Sequence, residues 1–345
     1  MIDKRWLTEG PFSREFLKLL QDFTGAKYAV LANNGTLALY LALKALDIKS
    51  GDEVIVPDFT FNASGSSVAF AGGRPVFVDV DRNNLNIDAT KIEEAITEKT
   101  KAIMPVHVYG QSADMDPIVE IARKHNIRVI EDAAQGYGVF YKGWHTGTIG
   151  DVGTISFFAD KTITTGEGAV VLTNNEEIYK NLRAIRNQGR ESSGTFIHPE
   201  LGMNFRMTDL QCAVGVAQIK KFKEIEVIKL KNYYLYKKLL AGMNELEFVE
   251  ETTYSNYMPF RTAVKVMNLK GLCNYLKENG IQTRGFFYPL HRQPCFSYLG
   301  YSKEAFPVSN MLNDTGLCLP VHCFLTEEDI KYVCKIIKKF YGSSG

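Results

Sequence analysis

A lysine that follows an apolar stretch is the residue of this chain best placed for chemistry. Lys161 comes after the strand-like run 152–158 and precedes a glycine-punctuated turn and a second β-branched pair, Val170 and Val171. Burial lowers the pKa of an amine, and a partly neutral amine can attack a carbonyl carbon to form a Schiff base. The same position also suits a loop lysine that points at water, so this segment alone leaves both interpretations open.

Two adjacent acids, Glu131 and Asp132, follow another apolar strand predicted over residues 128–130. Open α/β sheets bind ligands just beyond the carboxyl ends of their strands, which is where these acids lie. An acid at that edge can keep a pyridinium nitrogen protonated and so make a pyridoxal ring an electron sink. A capping or metal-binding aspartate at a strand end would give the same local sequence.

A Gly-Thr step, Gly35-Thr36, opens a predicted helix with apolar positions at Leu37, Leu41 and Leu43. Free backbone N–H groups and the helix dipole at such an N-terminus suit a phosphate. A plain helix start is the alternative interpretation. The lysine, the acid pair and this helix start, taken together in this order and spacing, indicate a site for pyridoxal phosphate.

Short β-rich runs alternate with amphipathic runs between about residues 50 and 175, which predicts a mostly parallel sheet covered by helices on both faces. The predicted strands are 54–56, 76–80, 102–108, 128–130, 154–158 and 170–172, and the predicted helices are 37–46, 92–96 and 118–125.

A helical period over residues 210–240 predicts one long helix that joins two lobes. Beyond it, a strand over 259–266 and helices over 270–279 and 327–340 predict a small α+β lobe. We therefore predict a large α/β/α domain over residues 1–230, including the start of the connecting helix, and a small C-terminal domain over residues 231–345.

Composition narrows the classes of function. The 345 residues carry a formal net charge of +1, and their Lys and Arg residues are scattered, which argues against a nucleic-acid partner. We expect a cytoplasmic protein without membrane contact, because no signal peptide or membrane-spanning apolar stretch is found. The six cysteines show no paired framework, and we expect core thiols rather than a metal site at Cys318, His322 and Cys323.

Five segments together resemble the DegT/DnrJ/EryC1/StrS family of sugar aminotransferases. Besides the three segments above, they are the runs 54–61 and 202–209, and the resemblance extends from the motif Trp-Leu-Thr-Glu-Gly-Pro at 6–11 to Leu-Cys-Leu-Pro at 317–320. The run Lys-Thr-Ile-Thr-Thr-Gly-Glu-Gly, which begins at Lys161, is similar to that of the family's perosamine and viosamine synthases. The resemblance implies a fold-type I architecture, like that of aspartate aminotransferase, and pyridoxal 5′-phosphate (PLP, or PMP in its aminated form) as cofactor.

The resemblance also implies a reaction. An amino group would pass from L-glutamate to C4 of a nucleotide-linked 4-keto-6-deoxyhexose, giving a 4-amino-4,6-dideoxy sugar nucleotide. Amination at C3 is an alternative. A PMP-dependent deoxysugar dehydratase is disfavoured, because those relatives carry histidine at the position of Lys161, and a cofactor-binding regulator without turnover is the remaining alternative.

The resemblance assigns roles to individual residues. Lys161 would bind the cofactor as a Schiff base and move a proton between the amino-acid α-carbon and the cofactor C4′. Asp132 would pair with the pyridinium nitrogen, and Gln135 would lie over the oxygen edge of the ring. Phe61 would stack on the ring, although alone it also suits a core aromatic at a strand-to-helix turn. The phosphate would be held by Gly35, Thr36 and Ser156.

Asn204 and Arg206 match a family segment that reaches the cofactor phosphate of the neighbouring subunit, which implies a homodimer with shared active sites. From structure alone, their segment predicts a loop and a helix N-cap at Thr208 or Asp209.

Tyr288 and His291 resemble a small-lobe loop near the hexose or pyrophosphate, and we predict that they contact the substrate, with a structural role as the alternative. Arg190 and Arg284 are further candidates for phosphate contacts, with a surface position as their default.

Overall fold

The computed structural model describes residues 7–190 and 196–342, so Trp6 of the N-terminal motif and residues 343–345 lie outside the described residues. The helices are α1 (Pro11–Thr24), α2 (Gly35–Ala45), α3 (Asn62–Phe70), α4 (Met115–His125), α5 (Glu176–Arg186), α6 (Asp209–Lys220), α7 (Phe222–Leu239), α8 (Leu269–Glu278), α9 (Pro307–Thr315) and α10 (Glu327–Phe340). The strands are β1 (Tyr28–Ala32), β2 (Glu53–Pro57), β3 (Arg74–Val78), β4 (Thr100–Ile103), β5 (Arg128–Asp132), β6 (Phe140–Tyr141), β7 (Trp144–His145), β8 (Val152–Ser156), β9 (Ala169–Thr173), β10 (Leu246–Phe248), β11 (Thr262–Val266), β12 (Arg284–Gly285) and β13 (Gly316–Leu319). Among these helices, none combines the length and the apolar character needed to cross a membrane.

The central sheet has seven strands in the order β1-β9-β8-β5-β4-β2-β3. The pairs from β8 to β3 are parallel, whereas β9 runs antiparallel to both β8 and β1. The predicted mostly parallel sheet is therefore confirmed. Strand β1 was not predicted, and the strand predicted over residues 170–172 is the antiparallel one.

Alternate strand residues face opposite layers of helices. Val54 and Val56 pack in the cluster that contains α2, whereas Ile55 packs in the cluster that contains α4. On the second face, α1 and α6 cover the strands near β1 and β9, and Gly215 of α6 allows this close packing. A Cβ atom at Gly215 would lie 2.5 Å from the ring of Phe16 in α1. The sheet is thus covered on both sides, as its apolar strands require.

Three predicted elements differ in the structure. The helix predicted over residues 92–96 is wrong, since the chain there forms two short 3₁₀ turns, Ala89–Lys91 and Glu93–Ala95. The strand predicted over 102–108 ends at Ile103, just before Pro105, which has no N–H to donate to a sheet. The single helix predicted over 210–240 is wrong as well, because α6 and α7 are separate helices that meet at Lys221.

The small C-terminal α+β unit is confirmed. Its sheet has four antiparallel strands in the order β10-β11-β13-β12, and apolar residues of α7, α8 and α10 pack with those of the strands in one core. The helix predicted over residues 327–340 matches α10, which begins with a capping box formed by Thr326 and Asp329. The domain boundary at residue 230 stays a prediction, and it falls inside α7.

Two helices are capped by aspartates that are remote in sequence. Helix α1 begins Pro-Phe-Ser, and the carboxylate of Asp209 accepts hydrogen bonds from the Ser13 amide and hydroxyl, both at 2.7 Å. Helix α9 begins Pro-Val-Ser, and Asp79 accepts from the Ser309 amide at 2.9 Å and the Ser309 hydroxyl at 2.8 Å. Neither helix has a side-chain cap from its own N-cap residue. A buried anion from another element therefore satisfies each first turn.

A buried histidine ties the β6-β7 hairpin to the core in its neutral form. The ring of His145 packs against the rings of Phe23, Tyr137 and Phe140. Its Nδ1–H donates to the carbonyl oxygen of Thr146 at 2.6 Å, and its Nε2 accepts from the amide of Gly138 at 3.1 Å. A proton on Nε2 would face that amide N–H, and burial lowers the pKa of His145 to about 4.

This arrangement predicts a loss of stability in acid. The unfolded chain takes up a proton near the ordinary histidine pKa of 6.5, whereas folded His145 resists protonation until about pH 4. The free energy of unfolding should therefore fall by up to about 3 kcal/mol as pH drops through that window. Urea unfolding across the window measures this loss.

The control is a comparison of two variants. His145→Gln should flatten the pH dependence, whereas His322→Gln, at an exposed position, should leave it as in the wild type. An equal pH slope in His145→Gln and the wild type would contradict the prediction.

Candidate active site

A cavity of about 600 Å³ lies between the carboxyl ends of the parallel strands and the small sheet. The central sheet contributes strand ends at Asp132 and Ser156, and the small sheet contributes Arg284, Gly285 and Cys318. Eight of the candidate site residues named from the sequence line it together: Gly35, Thr36, Phe61, Asp132, Gln135, Ser156, Lys161 and Arg284.

Lys161 lies half-buried in the turn that follows β8. Burial lowers the pKa of its amine to about 8, although the carboxylates of Asp160 and Asp132 oppose this shift. Arg261 and Arg284 lower the pKa further by charge repulsion. A sizeable fraction of the amine is thus neutral in mildly alkaline solution, and a neutral amine is both a nucleophile and a proton acceptor.

The two adjacent acids of β5 have different surroundings. Glu131 is fully buried and accepts from His107 Nε2 at 3.0 Å and from three backbone amides, those of residues 147, 149 and 150, at 2.7 Å each. Burial by itself would raise the pKa of Glu131, but these hydrogen bonds hold it below its ordinary value. Asp132 instead lines the cavity, and it accepts from Ser64 Oγ at 2.7 Å and from the Ala134 amide at 3.1 Å.

The start of α2 offers unpaired donors to the cavity. Its N-cap Asn34 already accepts from the Leu37 amide at 3.0 Å, whereas the amides of Gly35 and Thr36 have no acceptor among the described residues. A Cβ atom at Gly35 would lie 3.1 Å from the Cβ of Ser156, so glycine lets the helix start approach the end of β8. Backbone amides, hydroxyls and the positive end of the helix dipole thus converge where a phosphate can bind.

The remaining walls suit an aromatic ring. Phe61 lines the cavity with 62% of its surface exposed, so a π face is available for stacking. The Oε1 atom of Gln135 accepts from the Tyr109 amide at 2.9 Å, and its NH2 group has no acceptor in the described parts of the chain. With the amine, the acid and the helix start, these groups fit pyridoxal phosphate.

His291 and Tyr288 are not part of the cavity wall. Both ring nitrogens of His291 are engaged, Nδ1 with Asp58 Oδ2 at 2.8 Å and Nε2 with the carbonyl oxygen of Lys303 at 3.2 Å. Burial would lower the pKa of His291, but the Asp58 carboxylate more than offsets this and raises it. His291 therefore holds the small-lobe loop to the end of β2, and the ring of Tyr288 lies under Arg292.

Asn204 and Arg206 also lie outside the cavity of their own chain. Arg206 Nε donates to Asn204 Oδ1 at 2.9 Å, and its guanidinium is 3.7 Å from the Glu9 carboxylate. The carbonyl oxygen of Arg206 accepts from Asn33, two residues before the start of α2, at 3.1 Å. The capping box at Thr208, one of the two positions predicted for the N-cap, is present.

The sequence did not indicate several residues that line the cavity or hold its side chains in place. Ser64, which holds Asp132, belongs to a polar stretch of α3 that carries no specific pattern. Asp160 was not predicted as a site residue, although its position next to Lys161 in the sequence could have indicated it. Phe260 and Arg261 lie about a hundred residues further along, where no local motif marks them. Among residues 7–190 and 196–342, no group of His, Cys, Asp or Glu side chains is arranged to hold a metal ion.

Comparison with known proteins gives consistent matches over nearly the whole chain. The model of the DegT/DnrJ/EryC1/StrS aminotransferase family matches residues 1–338. A GDP-perosamine synthase of Caulobacter vibrioides is 40% identical over 96% of this chain and 91% of the relative. A UDP-2-acetamido-2-deoxy-3-oxo-D-glucuronate aminotransferase of Pseudomonas aeruginosa is 36% identical over 94% of this chain and 89% of the relative. The PLP-form structure of a putative sugar aminotransferase from Streptococcus pneumoniae superposes with a TM-score of 0.93 at 27% identity, covering 98% of this chain and 93% of that chain.

The two acids of β5 should respond oppositely to amide substitution. Asp132→Asn keeps an oxygen for the Ala134 amide and places an NH2 group against the Ser64 hydroxyl, which can accept, so the fold should remain stable. We expect the reaction rate with an amino acid donor to fall about a hundredfold or more, because an amide has no negative charge with which to pair a protonated ring nitrogen. Single-turnover absorbance of the bound cofactor measures this rate.

Glu131→Gln is the matched control. Its new NH2 group must face backbone amides or His107, so the free energy of unfolding should fall by about 3 kcal/mol. A stable Glu131→Gln protein together with full activity in Asp132→Asn would contradict the assignment of the two acids.

Proposed function

The chain belongs to the DegT/DnrJ/EryC1/StrS aminotransferase family, and from this premise we propose that it transfers the amino group of L-glutamate to C4 of a nucleotide-linked 4-keto-6-deoxyhexose. As a member of the family, it is a PLP-dependent sugar aminotransferase. The product is a 4-amino-4,6-dideoxy sugar nucleotide. The observation that carries the proposal is the convergence of Lys161, Asp132 and the start of α2 on one cavity.

The reacting atoms meet three residues of the cavity. Pyridoxal phosphate, when bound, supplies a conjugated ring that accepts the electron pair released at the donor α-carbon. Lys161 would hold the cofactor through its amine nitrogen and would move a proton between the donor α-carbon and the cofactor C4′. Asp132 would keep a proton on the pyridine nitrogen, and Gln135 would donate from its free NH2 group to the ring oxygen.

The other cavity residues hold the cofactor in place. Phe61 offers its exposed face to the ring, and this requires only a π surface. Gly35 and Thr36 would donate their unpaired amides to the phosphate, and Ser156 would add a hydroxyl from the end of β8. These contacts would hold the cofactor ring in the cavity beside Lys161.

Two candidate substrates differ in the sugar carbon that receives the amino group. The similarity to the Caulobacter GDP-perosamine synthase favours a GDP-linked sugar and a C4 keto group. The Pseudomonas relative, whose name specifies a 3-oxo sugar linked to UDP, supports amination at C3 as the second candidate. All six cysteines are free, and this suits the reducing cytoplasm in which we propose that the enzyme works.

The test is turnover of defined keto sugars by the purified holoenzyme with L-glutamate. We expect mass spectrometry to detect the aminated product from a GDP-linked 4-keto-6-deoxyhexose. Lys161→Ala should lower the rate by at least about a thousandfold, because one change removes both the nucleophile and the proton carrier. Faster turnover of a UDP-linked 3-keto sugar would favour the second candidate, and turnover by Lys161→Ala within tenfold of wild type would remove the catalytic role.

We also propose that the active unit is a homodimer in which Asn204 and Arg206 complete the phosphate site of the partner subunit. Both residues lie outside the cavity of their own chain. The segment that precedes them in the sequence carries apolar side chains that are almost fully exposed. Phe196 is 92% exposed and Leu201 is 97% exposed. A second copy of the chain would cover these side chains and bring Arg206 to a neighbouring site.

Subunit mixing tests this arrangement. Lys161→Ala and Arg206→Ala should each be inactive, but a mixed dimer would hold one site with both lesions and one with neither. Up to about a quarter of wild-type activity should return when subunits exchange at random and the two sites work independently.

The matched control mixes Lys161→Ala with Asp132→Asn. Both lesions then lie in the cavity of their own chain, so every site of a mixed dimer is damaged and no activity should return. Absence of recovery in the first mixture, despite demonstrated exchange, would place Arg206 outside the neighbouring site.

A further inference from the structure

A strained turn borders the cavity at Tyr109. Tyr109 and Gly110 have φ angles of 53° and 103°, and the Gln111 amide donates to the Val108 carbonyl oxygen at 3.3 Å across the turn. Two-residue turns with positive φ at both central positions favour Asn, Asp or Gly at the first of them. A tyrosine there costs free energy, so other contacts must offset the strain.

The ring of Tyr109 makes contacts that offset this strain. It is 4% exposed and stacks on the ring of Phe287, with centroids 5.2 Å apart and an interplanar angle of 13°. The rings of Phe59 and Phe286 pack against it with centroids at 6.3 Å and 5.2 Å. Its hydroxyl group lies beside the Cys318 thiol on β13. The usual turn residues would make none of these aromatic contacts.

The backbone is held on both sides of the turn. The Val108 amide donates to Asn86 Oδ1 at 3.0 Å, and the Gly110 carbonyl oxygen accepts from the Met258 amide at 2.8 Å. A change of φ at Tyr109 must therefore be taken up by the peptide plane that precedes it. That plane carries the Tyr109 N–H group.

The Tyr109 N–H group sets the orientation of Gln135. It donates to Gln135 Oε1 at 2.9 Å. A backbone N–H can only donate, so it selects the oxygen of the carboxamide and leaves the NH2 group on the other side. Both residues line the cavity. Rotation of the peptide plane before Tyr109 would release the oxygen and let the carboxamide turn over.

We propose that Tyr109 is a positioning residue, whose packed ring keeps the turn left-handed so that its N–H group holds the Gln135 NH2 group toward the cofactor. The inference rests on the proposed contact between Gln135 and the ring oxygen of pyridoxal phosphate. A hydrogen-bond donor at that oxygen stabilises its anionic form, so it lowers the pH at which the bound cofactor loses its proton.

An absorbance titration of the holoenzyme without substrate measures this pH midpoint. Tyr109→Ala removes the ring and favours a negative φ, so the midpoint should rise by about half a pH unit or more. Tyr109→Gly removes the same ring but adopts a positive φ without strain, so the midpoint should rise less than half as far. Tyr109→Phe keeps the packed ring and should match the wild type.

The chain offers a matched control in a second turn of this kind. In the β6-β7 hairpin, Lys142 and Gly143 have φ angles of 47° and 90°. Lys142→Ala introduces the same backbone strain away from the cavity and should leave the midpoint unchanged. Gln135→Met removes the donor itself and should raise the midpoint at least as far as Tyr109→Ala does.

The comparison of alanine with glycine decides the outcome. A rise in Tyr109→Gly equal to or larger than that in Tyr109→Ala would mean that the ring only fills space, which overturns the proposal. An unchanged midpoint in Tyr109→Ala or in Gln135→Met overturns it as well. If Tyr109→Ala does not fold, Tyr109→Leu replaces it. Leucine retains apolar volume without the stacked ring, and a midpoint equal to that of Tyr109→Phe would then overturn the proposal.

Failure of the proposed function has a different signature. The midpoints would follow the expected order, yet the wild-type enzyme would form no aminated sugar from any keto sugar offered. Wild-type enzyme that forms aminated sugar, together with equal midpoints in Tyr109→Ala and Tyr109→Gly, would overturn the positioning role and leave the function intact.

Discussion

The alternation of side chains at the carboxyl end of β5 is the constraint on which the whole cavity depends. Successive residues of a strand point to opposite faces, so Glu131 and Asp132 face opposite ways although they are neighbours in sequence. Glu131 is held inside by four donors, and the cost of burying its charge is offset by those charge-assisted hydrogen bonds. With that anchor in place, Asp132 has only one direction left, which is into the cavity.

The same chemistry joins the small lobe to the central sheet. Asp58 follows β2, and Asp79 follows β3, and both carboxylates bind backbone amides of the segment that leads from β12 to β13. Asp58 also pairs with His291, whereas Asp79 caps α9. A lobe attached by directional, buried hydrogen bonds keeps Arg284 and Arg261 at a fixed place opposite Lys161, which apolar contact alone would specify less well.

Local sequence was sufficient to predict most of the residues proposed to bind the cofactor, but few residues of the cavity wall that the small sheet contributes. Lys161, Asp132 and Gly35 each follow a strand or open a helix, so a short window reveals both the element and the chemistry. Strand-end acids are nevertheless ambiguous: Asp58 and Asp79 occupy the same kind of position as Asp132 and are structural. No short stretch of sequence distinguishes a structural aspartate from one that lines the cavity, because the residues that bind each carboxylate are far away in the sequence. His291, for example, lies 233 residues from Asp58.

The helical spacing of apolar residues did not predict where α6 ends and α7 begins. The apolar pattern runs unbroken across the junction of α6 and α7, since Phe222 continues it while its ring packs against Phe23 and Tyr137 in the core. The chain bends there to bury that ring. A helical period shows which residues are apolar, but it does not show that the helix axis changes direction. The pairing of Asp160 with Arg261 and Arg284 spans 101 and 124 residues and is likewise a product of the tertiary fold.

The alternation in β5 also determines which kinds of inherited change this chain tolerates. Substitution at Arg128 or Val129 alters one side chain and leaves the directions of the later ones intact. Loss or gain of one codon within residues 128–130 shifts the pleat by one position and exchanges the faces of both acids. The buried anchor would then point into the cavity and the cavity acid into the core. The number of residues in this strand is therefore under stricter constraint than the identity of any single side chain in it.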